Sequence, residues 1–427
     1  MKVYVETYGC ALNKSDEALM KQVLVERGHS LAGDPWSADA IVLNTCTVRL
    51  DTEQHMIKRI AELRRIALGK GAKLVVAGCM PAAQPYKVYK TAPEASLVSP
   101  QNAVRIYEAV EAADRVFLLN GPRVRDLIGL CFEGRIAPIP IQEGCLSNCS
   151  FCITKHARRA VVSHSIEAVV RAVEAAVAKG AVEVQLTGMD LGVYGLDLYG
   201  KRLLPELVAR VSRVSGNFRI RIGMINPEHL EFILDDLIET INSDPRIYRF
   251  LHIPLQSGSD KVLKAMNRKY SIEEYRRTVL EVKRKIPDVS IATDIIVGHP
   301  LESDEDFEQT LKIIKELEFE RVHFAGYSLR PNTLSAGLPP VPTKTRKERM
   351  MRLLKTVEEV GLKVREKYVG RKIPVFITEY SNTWVGRLGN YIPVVLNSDK
   401  SLGYGELVEA LIERATFYDL RGLVVTV

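Results

Sequence analysis

Two hydrophobic periods share this chain, and the places where one gives way to the other mark its elements. Apolar runs at residues 3–7, 40–45 and 73–77 have the length and β-branched content of strands. Helical spacing is expected at residues 15–27 and 52–68, with Ser15 as the N-cap of the first helix, Asp16 and Glu17 in its first turn and Gly28 as its stop. A short helix is expected at 104–113. From residue 136 the alternation resumes, with strands at 136–141, 182–186, 219–223, 250–254, 291–297 and 321–325. The helices between them fall at 165–178, 203–215, 227–242, 271–286 and 304–317. Pro339-Pro-Val-Pro342 makes a stiff linker into a long helix at 344–367, where Met350, Leu354, Val357 and Val364 lie near one face. Short apolar runs then alternate with turn residues, at 373–378, 384–388, 391–396, 407–412 and 422–427.

This order predicts an α/β chain in successive parts. Strand–helix alternation over residues 1–120 implies a parallel sheet. Six βα steps over residues 121–340 are too few for a closed eight-stranded barrel. They predict a partial (β/α)6 barrel with its chemistry at the carboxyl ends of the strands. Residues 341–368 form a linker helix and 369–427 a small β-barrel.

Composition narrows the class. The 427 residues are 46% hydrophobic and 26% charged, which suits a chain that buries a core. No apolar run approaches a membrane span, and the first residues lack the pattern of a signal peptide, so a cytoplasmic monomer with no membrane partner is expected. Seven cysteines are too sparse and too odd in number for a disulfide scaffold. Residues 344–372 hold eleven Lys/Arg against four Asp/Glu, an excess equal to the whole chain's +7. Such a segment suits a polyanion or a solvated helix face.

The cysteines carry the candidate chemistry. Cys145, Cys149 and Cys152 stand in one short loop after the strand at 136–141. Three thiolates suit a metal or an iron–sulfur cluster better than a disulfide. A structural zinc would need a fourth ligand, for which His156 is the nearby rival. Cys10, Cys46 and Cys79 each follow the end of a strand in the first part. In a parallel sheet those ends share one edge, so the three are expected to meet, with Gly9 and Gly78 allowing close backbone approach. The alternative is three separate buried cysteines. Cys131 fits no ligand pattern and reads as an ordinary buried cysteine.

The loop Cys145-x3-Cys149-x2-Cys152, with Phe151 before its last cysteine, resembles that of the radical S-adenosylmethionine enzymes. Thr7-Tyr-Gly-Cys-Ala-Leu-Asn13, Asn44-Thr-Cys-Thr-Val-Arg49 and Ala77-Gly-Cys-Met80 are similar to the first domain of the methylthiotransferases, a branch of that superfamily. The end of the chain resembles an RNA-binding TRAM module. The resemblance implies two four-iron clusters, one on each cysteine triad, and S-adenosylmethionine at the open iron of the Cys145 loop. It further implies an electron donor, a sulfur donor, and tRNA as partner through its anticodon stem-loop. Among the family's substrates, Cys149–Thr154, Ser163–Glu167 and Thr416–Gly422 look most like the branch acting on N6-threonylcarbamoyladenosine at tRNA position 37. Isopentenyladenosine and a ribosomal-protein aspartate are the alternatives, and a non-catalytic, metal-stabilised RNA binder is a third reading.

Residue roles follow from the same resemblance, each against a plain structural role. Asp294 is expected at a ribose hydroxyl, Gln256 and Ser257 at the methionine portion or substrate, and Arg221 at a carboxylate. Lys155, Arg158 and Arg159 are expected to meet RNA or the threonyl carboxylate, and Trp384, Arg387 and Tyr391 to contact RNA. The chain departs from the family pattern at Met189, at His299-Pro-Leu301 for Phe-Pro-Gly, at Ala160 for Gly, and at Asn332 for Gly.

Overall fold

The computed structural model describes residues 1–398 and 401–426. The last residue of the strand expected at 422–427 lies outside the described residues.

The first part is a six-stranded parallel sheet of β1 (Lys2–Thr7), β2 (Ser30–Leu31), β3 (Ala40–Thr45), β4 (Lys73–Gly78), β5 (Ser96–Val98) and β6 (Phe117–Leu118), in the order β2-β1-β3-β4-β5-β6. Every residue of β3 is buried, as a strand covered on both faces requires. The first helix, α1 (Ala11–Glu26), starts earlier than expected. Cys10 takes the N-cap position, and Ser15 is buried inside the helix with its hydroxyl donating to Leu12 O at 2.8 Å. Ser15 looked like a cap because of the acids behind it. The backbone needs no side-chain cap there, because the helix begins almost directly at the strand tip. Helix α2 (Leu50–Lys70) runs longer than expected and ends where Gly71 turns left-handed at φ 70°.

The partial barrel of the second part is built from β7 (Ile136–Pro140), β8 (Glu183–Thr187), β9 (Arg219–Ile222), β10 (Phe250–His252), β11 (Ser290–Val297) and β12 (Arg321–Gly326). They form two parallel three-stranded sheets joined by bridges Ile220–Ile247 and Met224–His252, so the expected partial barrel is present and open between β7 and β12. Helices α3 (Ile166–Ala178), α4 (Leu204–Val211), α5 (Leu234–Ser243), α6 (Ile272–Lys285) and α7 (Asp304–Leu317) pack outside it. The single helix expected at 227–242 is broken by a 3-10 turn at Glu231–Ile233. Ser271 and Ser303 cap α6 and α7 with reciprocal side-chain bonds.

Helix α8 (Thr343–Glu366) lies along α7 and β12 with Leu353, Val357, Val360 and Val364 buried and Leu354 only partly so. Four of its cations meet the barrel. Arg349 is buried against Glu302 and Asp304, Arg352 pairs Glu308, Lys363 pairs Glu318, and buried Arg365 donates to Glu320 O at 2.6 Å. The helix thus straps an acidic flank with some of its cations, while Lys344, Lys347, Lys355 and Lys367 remain on the exposed face.

The chain ends in a closed barrel of β13 (Lys372–Ser381), β14 (Thr383–Arg387), β15 (Pro393–Asn397), β16 (Leu407–Ala415) and β17 (Leu420–Thr426). It docks beneath the partial barrel through Arg249 N to Gly389 O at 2.9 Å and Asn390 Nδ2 to Asp288 O at 3.0 Å.

Two departures noted in the sequence share a backbone cause. Leu301 and Asn332, both expected to be glycine, sit at φ 75° and 63°. Asn tolerates the left-handed region, whereas leucine is strained there. Leu301 is 51% exposed and buries little. Leu301→Gly is expected to raise stability by about 0.5–1 kcal/mol, the left-handed strain less the extra entropy of glycine in the unfolded chain. Urea unfolding of the two proteins side by side measures this; a loss of stability contradicts the strain.

Candidate active site

The first triad assembles at the shared carboxyl edge of β1, β3 and β4. Gly9 turns at φ 122° and brings the backbone so close that a Cβ there would stand 3.0 Å from Cys46 Cβ. Gly78, at φ 90°, has no room for a Cβ beside Asn44 and Thr45. Asn13 ties the tips together, donating to Tyr8 O at 2.8 Å and Thr45 O at 3.0 Å, while its oxygen lies 3.6 Å from Cys79 Sγ. Cys10 is exposed, Cys46 and Cys79 are buried. Burial pushes the Cys79 thiol up to about 12, the Arg158 guanidinium opposes that, and the sulfurs of Cys10 and Cys46 add to it. The three cysteines therefore stand at one sheet edge, tied together through Asn13 and the close approach at Gly9.

The second triad sits at the mouth of the partial barrel, in the loop that follows β7. Burial raises the Cys145 thiol to about 12, with the Asp190 carboxylate adding to the shift and Ser147 opposing it. Cys152 is also raised by burial and by Cys149, against the backbone N–H groups of Lys155 and Thr154. Two residues from other strand ends complete the surroundings. Arg268 Nη1 lies 3.2 Å from Cys149 Sγ, and Asn226 Nδ2 lies 3.9 Å from Cys145 Sγ and bonds Ser147 Oγ at 2.8 Å. Arg268 also bonds Asn226. Buried Asp190 accepts from Asn226 N at 3.0 Å and contacts His229 Nδ1 at 2.5 Å. His156, the rival ligand, instead bonds Asn332 O at 2.9 Å.

The donor sets suit iron–sulfur clusters. Each has three thiols, backbone or side-chain N–H groups directed at sulfur, and a neighbouring cation to offset thiolate charge. Among the described residues no group of three or more His, Cys, Asp and Glu is placed to hold a single metal ion.

A cavity of about 250 Å³ lies between the two loops. Val48 and Arg49, just beyond Cys46, line one side, and Phe151 and Cys152 another. Asp294, Ile296, His323 and Tyr327 close it from β11 and β12. Phe151 is thus at the cavity wall, edge-on to His299 at 6.4 Å. His299, which burial holds down to about 4, bonds Ser335 Oγ at 2.8 Å, and Ser335 bonds Ser150 beside the cluster loop. Gln256 sits at φ 72° where its backbone pairs with β11, and Ser257 is 1% exposed with its hydroxyl accepting from Ser259 N at 3.3 Å.

Other expected residues are placed differently. Arg221 points toward the barrel floor, over the rings of Phe250 at 5.2 Å and Tyr391 at 5.8 Å, a level below the cysteine loop. Arg158 is 1% exposed and cannot meet RNA. It binds Asp16 of α1 and Glu143, and its Nη2 reaches Asn13 Oδ1 at 3.1 Å. Buried Arg123 closes the same four-charge cluster, 2.8 Å from Asp16 and 3.1 Å from Glu143. Lys155 is tied to Ser147 O at 3.0 Å, and Arg159 stays exposed. Tyr391 is an internal plug: its hydroxyl donates to buried Glu183 at 3.1 Å. Arg387 is largely turned inward, paired with Glu379 at 2.6 Å.

Trp384 remains partly exposed, flanked by two tyrosines that sequence reasoning missed: Tyr380 at 4.8 Å and Tyr404 at 5.4 Å between centroids. Tyr380 and Tyr404 line a groove of about 640 Å³ together with Lys14, Lys21 and Arg135, which reaches Gly9 beside Cys10.

Comparison with known proteins decides the family. A model described as "Uncharacterized protein family UPF0004" matches residues 2–99, the radical SAM superfamily model residues 139–314, and the TRAM domain model residues 366–425. A protein of Archaeoglobus fulgidus named "Probable threonylcarbamoyladenosine tRNA methylthiotransferase" is 36% identical, covering 99% of this chain and 98% of its own. The Xenopus laevis "Threonylcarbamoyladenosine tRNA methylthiotransferase" is 34% identical over 99% of this chain and 76% of its own. The chain belongs to this methylthiotransferase family. Its fold is shared more widely: a radical S-adenosylmethionine methyltransferase of Kitasatospora setae superposes with a TM-score of 0.59 at 14% identity, over 78% of this chain and 75% of that one. As a member of the radical SAM superfamily, the methylthiotransferase fold carries a four-iron cluster and S-adenosylmethionine, and the Cys145 triad is the set of residues suited to hold them. Among the described residues no helix is long and apolar enough to cross a membrane.

Proposed function

We infer that the protein adds a methylthio group to C2 of N6-threonylcarbamoyladenosine in tRNA, using two four-iron clusters. The supporting observation is one cavity that Cys152 of the barrel triad lines together with Val48 and Arg49, the residues that follow Cys46 of the first triad. An aromatic C–H is neither acidic enough nor electrophilic enough for acid–base chemistry. With clusters on both triads and S-adenosylmethionine bound, the barrel side supplies a radical and the first-domain side supplies sulfur. The chain's own residues arrange this. Arg268 and Asn226 orient the Cys145 loop, and Asn13 and Arg158 orient the first triad. Phe151, Ile296 and Tyr327 give the cavity apolar walls that keep water from a reactive species.

Nucleoside mass spectrometry of tRNA from a deletion strain tests the reading. Threonylcarbamoyladenosine is expected to accumulate without its methylthio form. A change confined to isopentenyladenosine, or to the mass of a ribosomal protein, contradicts it.

RNA enters this reading through the groove of Tyr380 and Tyr404, with Trp384 packed against both. Single-stranded loops are held by stacking on aromatic rings beside cations. Tyr380→Ala is expected to weaken binding of an anticodon stem-loop by about 5- to 100-fold, the range for loss of one stacked base. Fluorescence anisotropy measures it, and unchanged affinity removes the groove from the interface.

A further inference from the structure

Below the cavity, the lumen of the partial barrel is polar in a way that cluster binding does not use. Alternation along the strands settles which side chains face inward. Val184, Leu186, Ile220, Ile222, Ile291 and Ile295 point outward into the core beneath the helices. Gln185, Arg221, His252, Asp294 and His323 therefore line the lumen. The register makes Gln185 level with Arg221 in one sheet and Asp294 level with His323 in the other, nearer the mouth. His252 Nε2 bonds Asp294 Oδ2 at 2.8 Å, and the His252 and His323 rings are 5.5 Å apart. Burial lifts the Asp294 carboxyl, but His252 and His323 outweigh it and hold the group below its usual range. Arg221 is different. Its Nε is buried without a hydrogen-bond partner, and no carboxylate pairs with it among the described residues. Its guanidinium lies beside the Phe250 and Tyr391 rings, at 5.2 and 5.8 Å, which are themselves in contact at 4.9 Å. A cation kept in place by aromatic stacking, with donors left over, is an anion site awaiting its anion.

Asp294 and His323 belong both to this lumen and to the cavity that touches Cys152, so the two spaces are continuous. We propose that the lumen is a binding site for a carboxylate-bearing acyl arm on the target adenosine, with Arg221 as its carboxylate anchor and the His252–Asp294 pair and His323 at its hydroxyl and amide groups. The inference rests on the functional reading above and locates its specificity. An adenine at the mouth, with its C2 edge toward the first triad, can direct an N6 arm down the lumen. The Arg221 charge is felt at His323, so the anchor and the Asp294–His323 layer face one space. An isopentenyl arm would leave Arg221 without a partner in the same place, so the site also disfavours that substrate.

The experiment uses the full, reconstituted protein and stem-loop RNAs carrying threonylcarbamoyladenosine, its carboxylate methyl ester, or plain adenosine. Wild type is expected to prefer the free carboxylate over the ester by about 100-fold in kcat/KM, as loss of one partner of a buried charge pair does. Arg221→Gln is expected to lose that preference, and Arg221→Lys to keep part of it. If wild type treats acid and ester alike, or if Arg221→Gln still discriminates, the proposal is overturned. The acid–ester comparison needs no variant, so it stands even if Arg221→Gln fails to fold. Failure of wild type to modify any of the three RNAs would instead count against the functional reading itself.

Discussion

Cys79→Ser is expected to separate two activities that share one cavity. S-adenosylmethionine cleavage without RNA should continue near the wild-type rate, because the Cys145 loop, Arg268 and Asn226 are untouched. The methylthio product should fall more than about 100-fold, beyond what loss of an outer partner of a metal ligand costs. Cys79 is 3% exposed, and its sulfur lies against Asn13 and the Arg158 guanidinium, so nothing else in the site can take its place. Cys149→Ser should abolish both activities together, since its sulfur belongs to the other triad. Liquid chromatography of 5′-deoxyadenosine and of the modified nucleoside from one reaction reads both. Parallel loss in Cys79→Ser would mean that the first triad supports the barrel rather than the sulfur step.

Arg158→Gln should have the largest effect on the assembly of the site. Arg158 leaves the barrel loop and ends between Asp16 and Glu143, with Arg123 completing a buried cluster of balanced charge. Removing one cation leaves a buried carboxylate uncompensated, and breaking such pairs costs about 3–5 kcal/mol. The loss should appear as early unfolding of the first part from the barrel in hydrogen exchange, localised to α1 and residues 141–164. Arg158→Lys should rescue little, because a point charge cannot bridge two carboxylates and Asn13 at once. Arg158→Gln with Asp16→Asn restores charge balance and should recover part of the protection. A single variant with wild-type exchange would show that the cluster carries no load between the domains.

The convergence of Cys10, Cys46 and Cys79 was legible because parallel strands put their tips on one edge, a consequence of topology that needs no side-chain detail. The six-step barrel and the terminal β-barrel were legible from periodicity for the same reason. Arg158 was not. A cation among Lys155, His156 and Arg159 looks like surface, and its burial depends on Asp16 and Glu143, which sequence distance hides. The partners of the basic segment after residue 344 were hidden in the same way, because Glu302, Asp304, Glu308 and Glu318 lie on the barrel flank. Tyr391 shares a strand-end pattern with RNA-facing aromatics, yet docking of the terminal barrel turns it onto Glu183. The lumen was within reach of inspection: polar residues at alternate positions, Arg219 and Arg221 in one strand and Asp294 in another, break runs that are otherwise apolar.

The proposed chemistry requires that clusters on the two cysteine triads lie close enough to act on one bound nucleoside. Electron spin relaxation of the reduced barrel cluster measures that proximity directly. It should be markedly faster in the full protein than in the Cys10→Ala, Cys46→Ala, Cys79→Ala variant, where only the barrel cluster remains. Identical relaxation in the two, with iron bound at both triads of the full protein, would place the centres too far apart and contradict a shared site.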